Sequence, residues 1–378
     1  MKAVVVHGPG DVRVDERPVP APGPGEVLLA LEWGGICGSD IAYWKHGASG
    51  TATLVHPLVL GHEVAGRIAA VGPGVTGGAR IAEGAPVTVH PAQPVGDTTL
   101  PERLAGRTNL LPRVRYFGSA AFDPHTDGGF SEYRTVPAAQ LRPLPEGVST
   151  EHGALAEPLA VAVHAVRRAP ALRDRAVLVN GAGPIGSLLV AALRHAGAAH
   201  VTAADVAQGA LEVARAMGAD DTRDLSKGQE LPEDVEVVFE ASGAPGALGE
   251  VLRATARGGH LIQVGNLPGT PAPAVLGDLV TREITWSGSY RFVEEIDDAL
   301  AAMRDGLDVT PVISHRFDLA EGARALAVAA DPAAGCGKVM LRLGGPDRLQ
   351  GPDGHQGPDG LGAPGRAASG QPRGRGGG

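Results

Sequence analysis

An apolar run, AVLVN, ends in GAGPIG and passes directly into SLLVAALRHAG across residues 176–197. A strand that must become a helix in so few residues needs positions without a side chain. Gly181, Gly183 and Gly186 supply them at G-x-G-x-x-G spacing, and Pro184 and Ile185 open the helix. Gly181 suits the tight turn, Gly183 lets backbone approach a pyrophosphate, and Gly186 lets helix and strand pack closely. The unpaired N–H groups of the helix start favour a phosphate. Asp205 stands 24 positions after Gly181, at the end of the next apolar run, HVTAAD. That is where a carboxylate would accept hydrogen bonds from ribose hydroxyls. It would repel a 2′-phosphate, and VAQGA after it offers no Lys or Arg, so NAD is expected in preference to NADP.

The texture around this unit extends the reading. ALAEPLAVAVHAVRRA, GALEVARAMGA and ALGEVLRATARGG read as helices, and VEVVFEASG and HLIQVG as strands. Alternation of this kind predicts an α/β fold with a doubly wound parallel sheet. Before residue 146 the texture differs. KAVVVH, EVLLALEWGG, HEVAGRIAAVG, APVTVHP and FSEYRTVP are short apolar runs broken by Gly and Pro, which predicts a β-rich domain. Four segments are expected: 1–145 (β-rich), 146–287 (nucleotide-binding), 288–343 (β-like and loop-rich, returning to the first), and 344–378. The last is Gly/Pro-rich and polar, so it cannot bury enough surface to offset chain entropy and is expected to be disordered.

Charge and cysteine usage exclude other classes. Lys and Arg number 33 against 42 Asp and Glu, a net charge of -9, which disfavours nucleic acid as a partner. No apolar run approaches the ~20 residues of a membrane span, and MKAVVVHGPGDVRV has no signal-peptide pattern. Two cysteines make no disulfide framework, so a cytoplasmic setting is expected.

One of those cysteines, Cys37, lies in GGICGSD, and His62 and Glu63 follow 25 residues on in LGHEVAG. Thiolate, imidazole and carboxylate suit zinc. By spacing alone, an inert core cysteine and a surface His-Glu pair fit as well. The surrounding words say more. Gly61, His62, Glu63, Gly66, Gly72 and Val75 stand at G-H-E-x2-G-x5-G-x2-V spacing. With GGICGSD, this resembles the zinc-containing medium-chain alcohol and polyol dehydrogenases, over residues 1–343. The resemblance implies a GroES-like catalytic domain, a Rossmann nucleotide domain, NAD, one catalytic zinc, and self-association as a dimer or tetramer.

Within that family Glu157, in LAEPLAVAVHA, matches the polyol branch, where the ethanol-oxidising branch has a cysteine. The resemblance makes Cys37, His62, Glu63 and Glu157 the candidate zinc shell, with Glu63 or Glu157 binding directly. It also gives Ser39 the proton-relay hydroxyl, Asp40 the orientation of His62, Tyr43 a place in the substrate pocket, and Arg291 the substrate side. Capping for Ser39 and Asp40, core packing for Tyr43, a helix-start carboxylate for Glu157 and plain surface for Arg291 stay open. Lys338 is expected toward the cofactor phosphate, and Cys336 as a small unreactive residue.

RYFGSAAFDPHTDGGFSEY and GSYRF resemble the L-idonate 5-dehydrogenases of the branch. A guanidinium at Arg291 can grip a sugar-acid carboxylate, so a sugar acid is expected as substrate, probed against a neutral polyol of the sorbitol or xylitol type. A nucleotide-binding paralogue without catalysis is the third reading. The family's four-cysteine structural zinc is ruled out, since Val95, Thr98, Pro101 and Leu111 stand where those cysteines would be.

Overall fold

The computed structural model describes residues 1–331, 334 and 337–344. Cys336 and the Gly/Pro-rich segment from 345 lie outside the described residues.

Among the described residues, six parallel strands form one sheet. Their order is Asp221–Asp224, His200–Asp205, Ala176–Asn180, Val235–Glu240, Thr255–Gln263 and Thr285–Gly288. The chain starts in the middle at Ala176–Asn180, winds outward one way, then returns to wind the other way. The strand order therefore reverses between Ala176–Asn180 and Val235–Glu240, and a crevice opens there at the carboxyl ends. Helices on both faces bury the central strands, so Val177, Leu178, Val179, Val237, Val238 and Phe239 are all inaccessible. That double burial is why these strands read as continuous apolar runs without alternation.

A second sheet follows the order Leu141–Pro143, Pro86–Val89, Glu63–Val71, Glu26–Gly35, Lys338–Arg342 and Ile313–Asp318, with Tyr133–Pro137 also paired to Glu26–Gly35. All but one of its pairings are antiparallel; Ile313–Asp318 runs parallel to Lys338–Arg342. Glu26–Gly35 is its hub. Val27, Leu29 and Leu31 face one core with Ile68, Val87, Phe130 and Leu341. Alternate burial along this strand matches a sheet with one face in the core.

Two expectations need correction. The helix read through ALGEVLRATARGG ends at Ala254, and Thr255–Gln263 is already strand. Thr255 is β-branched and turns its hydroxyl onto the Val251 carbonyl at 2.8 Å, while Gly258 takes φ +71°. Neither favours helix, and the extra residues are absorbed as a bulge between Val235 and Val237. The segment after 288 is also less β-like than expected. It contains the helices Glu295–Arg304 and Gly322–Ala329. Ile296, Ala299, Leu300 and Met303, at helical spacing, join the core that holds Leu159, Ala162 and Leu188.

Candidate active site

Cys37 lies just past the hub strand Glu26–Gly35 and is the N-cap of the helix Gly38–His46. The cap geometry is made by Asp40. Its Oδ2 accepts from the Cys37 amide at 2.9 Å and its Oδ1 from the Gly61 amide at 3.0 Å. Asp40 is fully buried, and these two bonds tie the GGICGSD turn to the LGHEVAG turn. Among the described residues no hydrogen bond joins Asp40 to His62, and its carboxylate acts on that ring by charge. A carboxylate at the third helical position reaches back to the cap amide, and Gly61, with φ +95°, offers the other N–H. Ser39 is half-buried in the first helical turn and is not the cap. Tyr43 is buried in the core, and its hydroxyl accepts from the Ala120 amide at 2.9 Å.

His62 precedes and Glu63 begins the strand Glu63–Val71 next to the hub, with Glu63 opposite Gly35. A Cβ at Gly35 would run into Glu63 Oε2, so the glycine makes room for the carboxylate. Glu63 Oε1 accepts from Lys338 Nζ at 2.6 Å, and Lys338 also donates to the Ile36 carbonyl at 3.2 Å. Both side chains of the pair are buried. Lys338 therefore does not reach toward a cofactor phosphate. Its strand, Lys338–Arg342, runs beside the hub and delivers the ammonium to the buried carboxylate. Glu63 Oε2 is buried without a hydrogen-bond partner.

Cys37 Sγ, a ring nitrogen of His62 and a carboxylate oxygen of Glu63 all lie within 4.8 Å of one another. Burial works against a charged His62, but Cys37 by charge and hydrogen bond, then Glu157 and Asp40, push its pKa up to about 10. Burial raises Glu63 to about 7; Lys338 opposes this and Glu157 adds to it. A cysteine sulfur, an imidazole and a carboxyl group with one orphaned buried oxygen make a donor set that fits a soft-to-borderline dication such as zinc.

Glu157 is in the first turn of the helix Ala156–Arg168. A short turn of helix, Thr150–Ala154, capped by Ser149, precedes it and carries the chain in. Pro158 is tolerated so close to the start because its missing N–H has no intrahelical acceptor there. Glu157 is buried beside the cluster, and its Oε1 accepts from the Tyr116 hydroxyl at 2.7 Å. The Tyr116 ring meets the His62 ring edge-on at 5.6 Å. The Arg291 guanidinium lies over the same ring at 4.2 Å and over Tyr290 at 4.9 Å. Burial and the Glu157 charge hold the Tyr116 hydroxyl well above its usual pKa, so it stays a donor. Sequence reasoning quoted RYFGS but gave Tyr116 no role; an aromatic after a short strand carries no signal of its own.

Arg291 has a left-handed backbone, φ +52°, which costs a non-glycine residue on the order of 1 kcal/mol. Among the described residues it has no carboxylate partner. With Tyr116, His90, Asn109, Gln140 and Arg142 it lines a cavity of about 290 Å³. The lobe that lacks the four cysteines borders this cavity. It is held by the strand pair Ala92–Pro94 with Val114–Tyr116, by buried Leu111, and by Asn109, which donates to the Tyr290 carbonyl at 2.7 Å.

The crevice at the strand-order reversal is edged by the glycine turn. Gly181 has φ +92°, and a Cβ there would collide with Ser242. A Cβ on Gly186 would strike the Gly181 carbonyl, whereas one on Gly183 would meet nothing, which leaves that face open to a ligand. Gly183 caps the helix Pro184–His195, with Pro184 and Ile185 in its first turn. Asp205 accepts from the Ala182 amide at 2.7 Å and the Ala207 amide at 2.9 Å, which shapes the glycine turn. Glu240, unmarked by the sequence reading, ends its strand fully buried. It accepts from Ser242, Gly243, Gln263 and Asn180 and so fixes the opposite wall. Its signal was a charge closing the apolar end of the strand VEVVFE, away from the exposed Glu236 near its start.

Comparison with known proteins places this geometry. Residues 23–146 match the alcohol dehydrogenase GroES-like domain, and residues 184–305 match the zinc-binding dehydrogenase domain. The chain is 34% identical to chicken sorbitol dehydrogenase over 330 residues, covering 84% of this chain and 90% of that protein. It is also 34% identical to the L-idonate 5-dehydrogenase (NAD(P)(+)) of Escherichia coli K12 over 338 residues, covering 87% and 95%. The crystal structure of the L-idonate 5-dehydrogenase from E. coli K-12 superimposes with a TM-score of 0.81 at 33% identity, over 90% of this chain and 97% of that one. No helix among the described residues is long and apolar enough to cross a membrane.

Proposed function

The chain belongs to the zinc-dependent medium-chain polyol dehydrogenase family, and from that premise we propose that it oxidises a secondary alcohol of a sugar acid with NAD, on a substrate of the L-idonate type. The observation that carries the acid over a neutral polyol is Arg291. A guanidinium held on two tyrosine rings, with no carboxylate partner among the described residues, has its planar donor fork free for a substrate carboxylate. Strain at its backbone fits a residue kept for function.

Cys37, His62 and Glu63 would hold one zinc, with Glu157 alongside. Bound there, zinc would act as a Lewis acid that makes the substrate hydroxyl easier to deprotonate. The chain supplies the rest. Ser39, half-buried two residues after Cys37, passes the hydroxyl proton outward. Tyr43 braces the Ala120 loop as a wall of the pocket. Lys338 balances part of the negative charge on Glu63. Gly181, Gly183, Pro184, Ile185 and Gly186 receive the pyrophosphate, and Asp205 the ribose hydroxyls, a carboxylate that disfavours a 2′-phosphate. Residues 1–145 with 288–343 form the catalytic part and 146–287 the nucleotide part in this reading. The 34% identity to chicken sorbitol dehydrogenase supports a polyol as the second reading.

The test is NADH formation by purified protein on sugar acids and polyols, with and without chelator. Turnover should be lost with chelator and should favour the acid. Arg291→Ala should lower kcat/KM for the acid by about 10- to 100-fold, the size of a lost charge-assisted contact, and for the polyol by less than about threefold. Equal losses on both substrates would favour the polyol reading.

A further inference from the structure

One side chain touches each group that the proposed function uses at the substrate end. Tyr116 is 7% exposed, its hydroxyl donates to Glu157 at 2.7 Å, its ring carries Arg291 at 4.2 Å and meets His62 at 5.6 Å. Phenylalanine would fill the same volume and keep the ring contacts. The hydroxyl therefore has one use in this fold, its bond to Glu157.

We propose that Tyr116 is a positioning residue that ties the acid-binding guanidinium to the metal-side carboxylate, and that it rests on the reading above for what those two groups do. The bond occupies one Glu157 oxygen and turns the carboxylate toward the strand end Val114–Tyr116. Glu157 is correspondingly outside the tight set formed by Cys37, His62 and Glu63. The ring fixes where the guanidinium sits by a cation–π contact. Arg291 and His62 are thus held one aromatic ring apart. A substrate gripped by its carboxylate has its reacting carbon set at a fixed spacing from that grip, so Tyr116 selects sugar acids by the distance between acid and alcohol.

The experiment uses full-length protein loaded with Co2+ in place of zinc, together with steady-state kinetics. In Tyr116→Phe the freed Glu157 should change the visible absorption of bound Co2+. The kcat should fall about tenfold for acid and polyol alike, with KM for the acid within about twofold, as expected for one lost hydrogen bond with the ring kept. Tyr116→Leu removes the ring too and should raise KM for the acid by about fivefold or more while KM for the polyol stays put. NADH fluorescence titration checks that each variant is folded. If Tyr116→Phe fails that check, Tyr116→Leu, which also removes the hydroxyl and frees Glu157, should give the same spectral change. A Tyr116→Phe protein with the parent's Co2+ spectrum and kcat overturns the proposal. So does a Tyr116→Leu protein whose KM rises equally for both substrates. A parent protein that neither takes up Co2+ nor reduces NAD overturns the functional reading itself and this inference with it.

Discussion

Gly35 shows how a residue with no side chain can carry a site. It has no unusual dihedral, yet a Cβ there would occupy the place of Glu63 Oε2. Gly35→Ala is expected to push the carboxylate away from Cys37 and His62 at a cost of about 1–3 kcal/mol, the usual penalty of overpacking. Metal analysis after dialysis should find the variant largely stripped of zinc, with NADH binding retained; full zinc occupancy would contradict the geometry. The GG of GGICGSD was visible in the sequence, but its partner was not. Glu63 lies 28 residues away and becomes a neighbour only through the pairing of two strands. Lys338 teaches the same lesson. It was expected toward a cofactor phosphate, and a buried carboxylate claimed it instead.

At the scale of elements, the helix Ala156–Arg168 carries Glu157 to the site and must be held in place. Two turns along the same helix, His164 Nδ1 contacts Glu295 Oε1 at 2.9 Å, joining it to the helix Glu295–Arg304. Glu295 is buried, which by itself would raise its pKa. The His164 hydrogen bond and the Val293 amide at 2.6 Å outweigh burial and pull it down to about 2 from 4.5. A carboxylate depressed on folding stabilises the protein above its unfolded pKa and loses that contribution as pH falls through the folded value. The stabilisation should therefore be complete above about pH 4.5 and disappear toward pH 2, on the order of 3 kcal/mol in all. Glu295→Gln should lower the melting temperature near neutrality and flatten its acid limb, read by calorimetry between pH 2 and 7. A variant melting in parallel with the parent at every pH would count against it. The helix containing Glu295 escaped the sequence reading because breakers surround it, and its apolar face shows only against the helix it covers.

For the molecule as a whole, the metal and nucleotide positions draw on residues far apart in the chain. Cys37, His62 and Glu63 come from one sheet, Glu157 from a helix behind it, and Arg291 from the segment after the parallel sheet. Ligands that bind only this assembled state must stabilise it by mass action. NADH at about 100 times its dissociation constant should add about 2.7 kcal/mol, and chelation of zinc should remove stability in the same way. Differential scanning fluorimetry should show melting rise with NADH and fall with chelator. Gly186→Val, which drives a side chain into the Gly181 carbonyl, should erase the NADH increment and leave the chelator decrement.

Local pattern alone was enough for the glycine turn and the parallel sheet. Each rests on neighbours in sequence: apolar periodicity reports burial, and a glycine reports a turn that no other residue makes cheaply. The motif words also brought out Cys37, His62, Glu63, Glu157 and Arg291. The pairings were decided by the tertiary structure. Lys338 on Glu63, Tyr116 between Glu157 and Arg291, and Glu240 in the crevice wall depend on strands and helices that meet across scores of residues. Buried polar atoms take whichever partner the completed fold brings within hydrogen-bond reach, because leaving them unsatisfied costs more than any local preference, and that distance is written nowhere along the chain.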